Sequence, residues 1–228
     1  MSNFNYISST PDTCTNERAG NLKRPVRNIS IKHTALSSLA MQVPIEPTHL
    51  GAGILTVDNF LSAEECRNLI QRSETIGYEE AASRTDEGDR IFKDARDNDR
   101  VIFDDLPLAQ QLFERAKLFL VPEKDGWTLS RMNERFRFYR YREKQKFAWH
   151  LDGKVTDTRG DETFLTFMVY LNDDFEGGST DFNWEKVNPK RGRALVFPHR
   201  IRHQGSPVTA GAKYVLRTDV FFSQPSQA

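Results

Sequence analysis

Cysteine is scarce in this sequence: Cys14 and Cys66 are the only two in 228 residues. Cys14 falls in a polar N-terminal stretch and Cys66 on an expected helix, so neither a disulfide framework nor a cysteine-built zinc site is on offer. Long apolar runs are also missing. FLTFMVYL at 164–171 is among the longest and is far too short to span a bilayer. The N-terminal MSNFNYISSTPDTCTNERAG has no apolar signal core, so a cytoplasmic protein is the default expectation and no membrane partner is expected. Neither charge is in excess: 32 Lys+Arg meet 32 Asp+Glu, which removes any global pull toward nucleic acid or an anionic membrane. No internal repeat is present.

Residues 1–48 are rich in Ser, Thr, Asn and Pro and lack periodicity, which predicts a disordered or loosely attached arm. Lys23, Arg24, Arg27 and Lys32 in it read as a solvated face. Residues 49–228 are expected to form a single domain. Its first part, 54–121, reads as helical support. GILTVDNF alternates like a strand, then Ser62 and Glu65 form a capping box ahead of Cys66, Leu69 and Ile70 at helical spacing. DARDNDRVIFDD (94–105) reads as a solvated loop entering a strand, and LPLAQQLFERAKLFLVP as an amphipathic helix stopped by Pro122. From about 130 to 222 short β-rich pieces alternate with Gly, Asn, Asp and Pro turns. The order predicts an α+β fold: N-terminal helices supporting an antiparallel double-stranded β-helix, a jelly-roll or cupin-like barrel.

Such a barrel can bring ligands from separate strands to one point. FAWHLDGK (147–154) places His150 and Asp152 two residues apart, on the same side of a strand end. Two imidazoles and one carboxylate form the facial ligand set of non-haem Fe(II) oxygenases, with the opposite face open. A third ligand must come from a distant histidine. The chain has five histidines, and His33 and His49 lie in or beside the arm, which leaves His199 and His203 in FPHRIRHQGSPV. His203 is preferred because it opens a strand and precedes the turn TAGA and the basic strand KYVLRTDVFF. Period two puts Lys213, Val215, Arg217 and Asp219 on one face of that strand. A buried cation there suits 2-oxoglutarate, which chelates iron at one end and needs a cationic anchor for its other carboxylate.

Residues from about 132 to 222 resemble the catalytic domain of prolyl 4-hydroxylase-type 2-oxoglutarate/Fe(II) dioxygenases. The resemblance rests on YRYREKQKFAWHLDG, VYLNDDFEGGSTDF, Pro189–Phe197 as P-x-x-G-x-A-L-V-F, and HQGSPVTAGAK, in that order. The family's lysine follows its distal histidine by ten residues, as Lys213 follows His203, and that spacing decides for His203 over His199. The resemblance implies His150, Asp152 and His203 as iron ligands, and Lys213 and Tyr141 as 2-oxoglutarate contacts. Arg217 departs from the pattern; it is assigned a share of the co-substrate, its division of labour with Lys213 left open. The resemblance further implies O₂ as co-substrate, ascorbate as a reductant, and hydroxylation of a peptidyl or small-molecule substrate with release of succinate and CO₂. Asp152 argues against halogenation, because related halogenases lack this carboxylate.

The run NERFRFYRYR also has a nucleic-acid reading, and a demethylase of the same superfamily stays as an alternative, as does a non-catalytic iron and 2-oxoglutarate sensor. Strand parity instead puts Arg137, Tyr139 and Tyr141 on one face and Phe136 and Phe138 on the other, beneath the helices. Arg137 and Tyr139 are then candidate substrate residues, unless Asp219 partners Arg137. Arg96, Asn98 and Arg100 are candidates for the rim of the site. Trp149 reads as a core or pocket-wall aromatic, and Asn172 and Thr180 as turn-fixing residues.

Overall fold

The computed structural model describes residues 46–81, 83–85, 88–90 and 96–224. The expected arm lies outside them but for its last three residues, as do Cys14, Lys23, Arg24, Arg27, Lys32 and His33. The described chain is mostly β-sheet with two helices.

α1 (Ala63–Ile76) begins where the sequence places it. The Ser62 hydroxyl accepts the Glu65 N–H at 3.1 Å, and the Glu65 carboxylate accepts the Ser62 N–H at 2.8 Å. Glu65 is also held by Arg115 of α2 (Leu106–Ala116) at 2.7 Å, which ties the two helices together. α2 stops short of Pro122. The Phe119 and Leu120 N–H groups both turn back to the Ala116 carbonyl, at 3.1 and 3.0 Å, and Leu120 drops into the core.

The segment expected as helical support also contributes to the sheet, through the two strands read in it and a third. The largest sheet has ten strands. Its path runs Thr48–Gly51, Ile54–Val57, Ala194–Pro198, Glu162–Tyr170, Lys213–Ser223, Arg135–Tyr141, Asp99–Asp104, Glu79–Glu80. Three strands of the 54–121 segment therefore belong to it, and two of them, Ile54–Val57 and Asp99–Asp104, complete the backbone hydrogen bonding of Ala194–Pro198 and Arg135–Tyr141. A second, four-stranded sheet runs Phe147–His150, His203–Gly205, Thr180–Phe182, Lys186–Val187.

Parity in Arg135–Tyr141 divides the core into two. Phe136 and Phe138 pack in one cluster with Cys66 and Leu69 of α1 and Leu108 and Leu112 of α2. Tyr139 and Tyr141 face the other way, into a cluster shared by both sheets, with Phe182, Val187, Phe197 and Val215. The first cluster fixes the helices on the outside of the large sheet; the second surrounds the candidate site. Cys66 is fully buried, and burial pushes its thiol up to about 12, so it acts as a packing residue.

Candidate metal centre

Two short strands put the histidines face to face. Phe147–His150 and His203–Gly205 pair antiparallel with His150 opposite His203, and the imidazole centroids lie 4.2 Å apart. Asp152 follows just beyond the strand end. Its Oδ1 is 3.6 Å from His150 Nε2 and its Oδ2 is 3.6 Å from His203 Nε2. One ligand atom from each of the three residues lies within 4.8 Å of the others, and no other such group occurs among the described residues.

The imidazoles are prepared as ligands. His150 Nδ1 bonds the Ala148 carbonyl at 2.7 Å and His203 Nδ1 bonds the Ile201 carbonyl at 2.9 Å. A carbonyl only accepts, so each Nδ1 carries the proton and each Nε2 presents a lone pair toward Asp152. Burial, with His203 adding to it, lowers the His150 pKa to about 4, and burial lowers that of His203. Both rings are therefore neutral near pH 7. Burial alone would raise the Asp152 pKa, but Arg217, His203, Thr166 and His150 outweigh it and hold the carboxyl well below its usual range. Two neutral nitrogens and one anionic oxygen converging on a point form a donor set that fits a divalent iron.

His199, the alternative from sequence, lies outside the cluster but supports it. Thr166 Oγ1 lies 2.6 Å from Asp152 Oδ2 and 3.0 Å from His199 Nδ1. His199 Nε2 lies 3.0 Å from Thr163 Oγ1, which accepts the Val155 N–H at 2.9 Å. An ionised carboxylate only accepts, so Thr166 donates to Asp152. The directions then follow in turn: His199 Nδ1–H donates to Thr166, and Thr163 donates to His199 Nε2. This chain holds one carboxylate oxygen in place. Thr166→Val is expected to lower affinity for Mn(II) by about tenfold to a hundredfold, the usual effect of losing an outer-shell partner. Calorimetric titration measures it, and an unchanged affinity would detach Thr166 from the metal centre.

Lys213 and Arg217 stand on the same strand face but have different partners. Lys213 is 2% exposed, and its Nζ donates to the Gly178 carbonyl at 2.5 Å. Among the described residues no carboxylate forms an ion pair with it. Burial lowers its pKa to about 7. Gly178 has φ +64°, and a Cβ there would meet the Lys213 side chain at 3.1 Å, which explains a glycine in the G-G-S-T turn. Arg217 is instead paired, with Asp152 at 3.0 Å and Asp219 at 3.3 Å. Tyr141 and Tyr139 stand opposite Lys213 and Val215 in the register of the neighbouring strand. A cavity open to solvent is lined by Tyr139, Tyr141, Lys213 and Arg217 with His150, Asp152 and His203; the lining includes Thr180, which receives the Tyr170 hydroxyl at 2.7 Å.

Other assignments change. Arg137 donates to Asp219 at 3.1 Å, so the protein supplies its partner and the unpaired charge that made it a substrate candidate is absent. Tyr139 does line the cavity. Arg135 bonds Asp104, and Arg140 bonds Asp99 and Glu74, so the basic run is neutralised by the protein and forms no free basic groove. Arg96 and Asn98, read as part of a solvated loop, are buried, with Arg96 Nε donating to Asn98 Oδ1 at 2.8 Å. Trp149 is 37% exposed, because His150 takes the inward side of their shared strand. Asn172 does fix a turn: it bonds Asp174 and the Ala212 carbonyl and accepts the Tyr214 N–H, each at 2.7 Å.

Comparison with known proteins agrees with this geometry. Residues 136–218 match the family model described as the 2OG-Fe(II) oxygenase superfamily. A putative prolyl 4-hydroxylase of Acanthamoeba polyphaga mimivirus is 26% identical over 183 residues, 70% of each protein. The viral collagen prolyl hydroxylase of Paramecium bursaria chlorella virus-1, solved with 2OG, superimposes with TM-score 0.56 at 24% identity, over 75% of this chain and 97% of that one. A Trichoplax adhaerens prolyl hydroxylase, solved with a peptide fragment of a hypoxia inducible factor, gives TM-score 0.57 at 15% identity over 75% and 84%. At these identities the two structures establish a shared fold.

Proposed function

With its segment 136–218 carrying the pattern of the 2OG-Fe(II) oxygenase superfamily, we propose that this chain is an Fe(II)- and 2-oxoglutarate-dependent dioxygenase of prolyl 4-hydroxylase type. It hydroxylates an unactivated C–H of a peptidyl residue or small molecule. The observation that carries the reading is the convergence of His150, Asp152 and His203 at a cavity that also holds a buried lysine without a carboxylate partner. Residues 49–228 are taken as one catalytic domain, whose two facing sheets are read as a double-stranded β-helix.

His150 and His203 through Nε2, with Asp152, would hold the iron. Bound iron, with 2-oxoglutarate and O₂, supplies the oxidative chemistry that yields succinate, CO₂ and a hydroxylated product. The protein's own contribution is placement. Backbone carbonyls fix both imidazole tautomers, and Thr166 and Arg217 orient the carboxylate. Lys213 receives the distal carboxylate of 2-oxoglutarate, whose charge offsets the desolvation of the ammonium. Tyr141 beside it is buried and supplies a phenol, since burial raises its pKa. The pairing of Arg217 with Asp152 and Asp219 favours Lys213 as the main anchor and leaves Arg217 to set the carboxylate ligand.

Anaerobic titration with Fe(II) and then 2-oxoglutarate tests this directly. A visible metal-to-ligand charge-transfer band is expected only when both are present, and O₂ should then release succinate. Failure of the band to appear would remove the co-substrate reading. A band without succinate across a peptide and metabolite screen would turn the protein into a sensor.

A further inference from the structure

The charges around the cavity do not balance. Among the described residues, Lys213 and Arg217 on the cavity wall and Arg96 and Arg137 behind it meet two buried carboxylates, Asp152 and Asp219. A third carboxylate, the half-buried Asp181, acts on Lys213 from a distance, and the bonds it accepts from Ser179, Gln204 and Ser206 keep it ionised. Iron would add two positive charges and 2-oxoglutarate would remove two, so with Asp181 counted an excess of one positive charge survives loading. Keeping such an excess out of water is unfavourable unless another anion arrives.

The excess has a location. Arg96 is 6% exposed, its Nη2 is buried without a hydrogen-bond partner, and among the described residues no carboxylate pairs with it. Its guanidinium lies 4.6 Å from the Tyr139 ring centroid and 4.5 Å from that of Phe147, both cavity-lining residues. Phe147 in turn stacks on His150 at 3.5 Å, so Arg96 stands one aromatic layer behind a metal-ligand histidine. Arg217 Nε is likewise buried and unpartnered, and Tyr139 acts on this guanidinium too. Arg96, Arg217 and Arg137 all act on the Tyr139 phenol and, against its burial, lower its pKa.

We propose that Arg96, with Tyr139 and Arg217 beside it, forms a subsite for a carboxylate of the substrate, separate from the 2-oxoglutarate anchor at Lys213. The substrate class is then a free amino acid, a chain-terminal residue or another carboxylic acid, in preference to an uncharged internal prolyl residue. This inference rests on the dioxygenase reading above. A structural guanidinium sandwich is the competing role for Arg96.

The test uses protein saturated with Mn(II) and 2-oxoglutarate, which occupies the metal site and the anchor. Acetate and acetamide are titrated in at matched ionic strength and read by calorimetry and thermal shift. Acetate is expected to bind at least about tenfold tighter than acetamide, as a charge-assisted hydrogen bond implies. Arg96→Gln should lose that preference with 2-oxoglutarate affinity changed less than about twofold, and Arg96→Lys should keep part of it. Equal binding of acetate and acetamide by the wild type would overturn the proposal. So would an unchanged acetate preference in Arg96→Gln, or, if that variant does not fold, a complete loss of preference in a folded Arg96→Lys. Failure of the wild type to bind 2-oxoglutarate would instead strike the dioxygenase reading, so the two failures are distinguishable.

Discussion

Asp152→Asn is expected to abolish succinate release and to weaken Mn(II) binding by on the order of 10²–10³-fold or more, the scale of losing one partner from a buried charge cluster. The carboxylate stands between two lone-pair nitrogens at 3.6 Å and is the only anion among the three candidate ligands. The asparagine is preferred to alanine for a structural reason. Asp152 also neutralises Arg217 at 3.0 Å, so a truncated side chain would leave a cavity as well as a bare guanidinium and would unsettle the fold. Circular dichroism and the thermal midpoint report the fold, and calorimetry reports the metal. A folded Asp152→Asn protein that keeps metal affinity within tenfold would remove Asp152 from the ligand set. His203→Ala should match the loss of metal, whereas His199→Ala should give the smaller loss expected of an outer-shell partner.

Lys213→Met is expected to weaken 2-oxoglutarate binding by roughly 30-fold or more, since removing the buried partner of a carboxylate costs about 2–5 kcal/mol. The same change should alter the pH dependence of stability. In the folded chain the Lys213 pKa is lowered to about 7 from 10.5, with burial as the cause. Between those values the unfolded chain binds the proton and the folded chain does not. Stability of the co-substrate-free protein therefore gains from this residue as pH rises from about 7 to about 10, and the methionine variant lacks that slope. Binding of 2-oxoglutarate restores the ammonium, so at pH 8 the wild type should take up a proton that the variant does not. Calorimetry in buffers of different ionisation enthalpy measures that proton. Equal uptake in both proteins, or an unchanged 2-oxoglutarate affinity, would take the anchor role from Lys213.

Local chemistry was legible in the sequence wherever a few neighbouring residues decide it. The Ser62–Glu65 cap, the two faces of Arg135–Tyr141 and the i, i+2 placement of His150 and Asp152 all follow from backbone periodicity. The choice between His199 and His203 needed a resemblance, because both lie on the same parity and only the cross-strand register opposite His150 separates them. What tertiary structure alone decided were the partners of the buried charges. Arg137 found Asp219 at a separation of 82 residues, Arg217 found Asp152, and Thr166 joined Asp152 to His199. It also drew Arg96 out of a stretch read as solvated and inserted it between Tyr139 and Phe147. The physical reason is common to all of these. Periodicity tells which way a side chain points, whereas the state of a buried charge depends on what the rest of the chain places within a few ångströms of it, and sequence spacing carries no record of that distance.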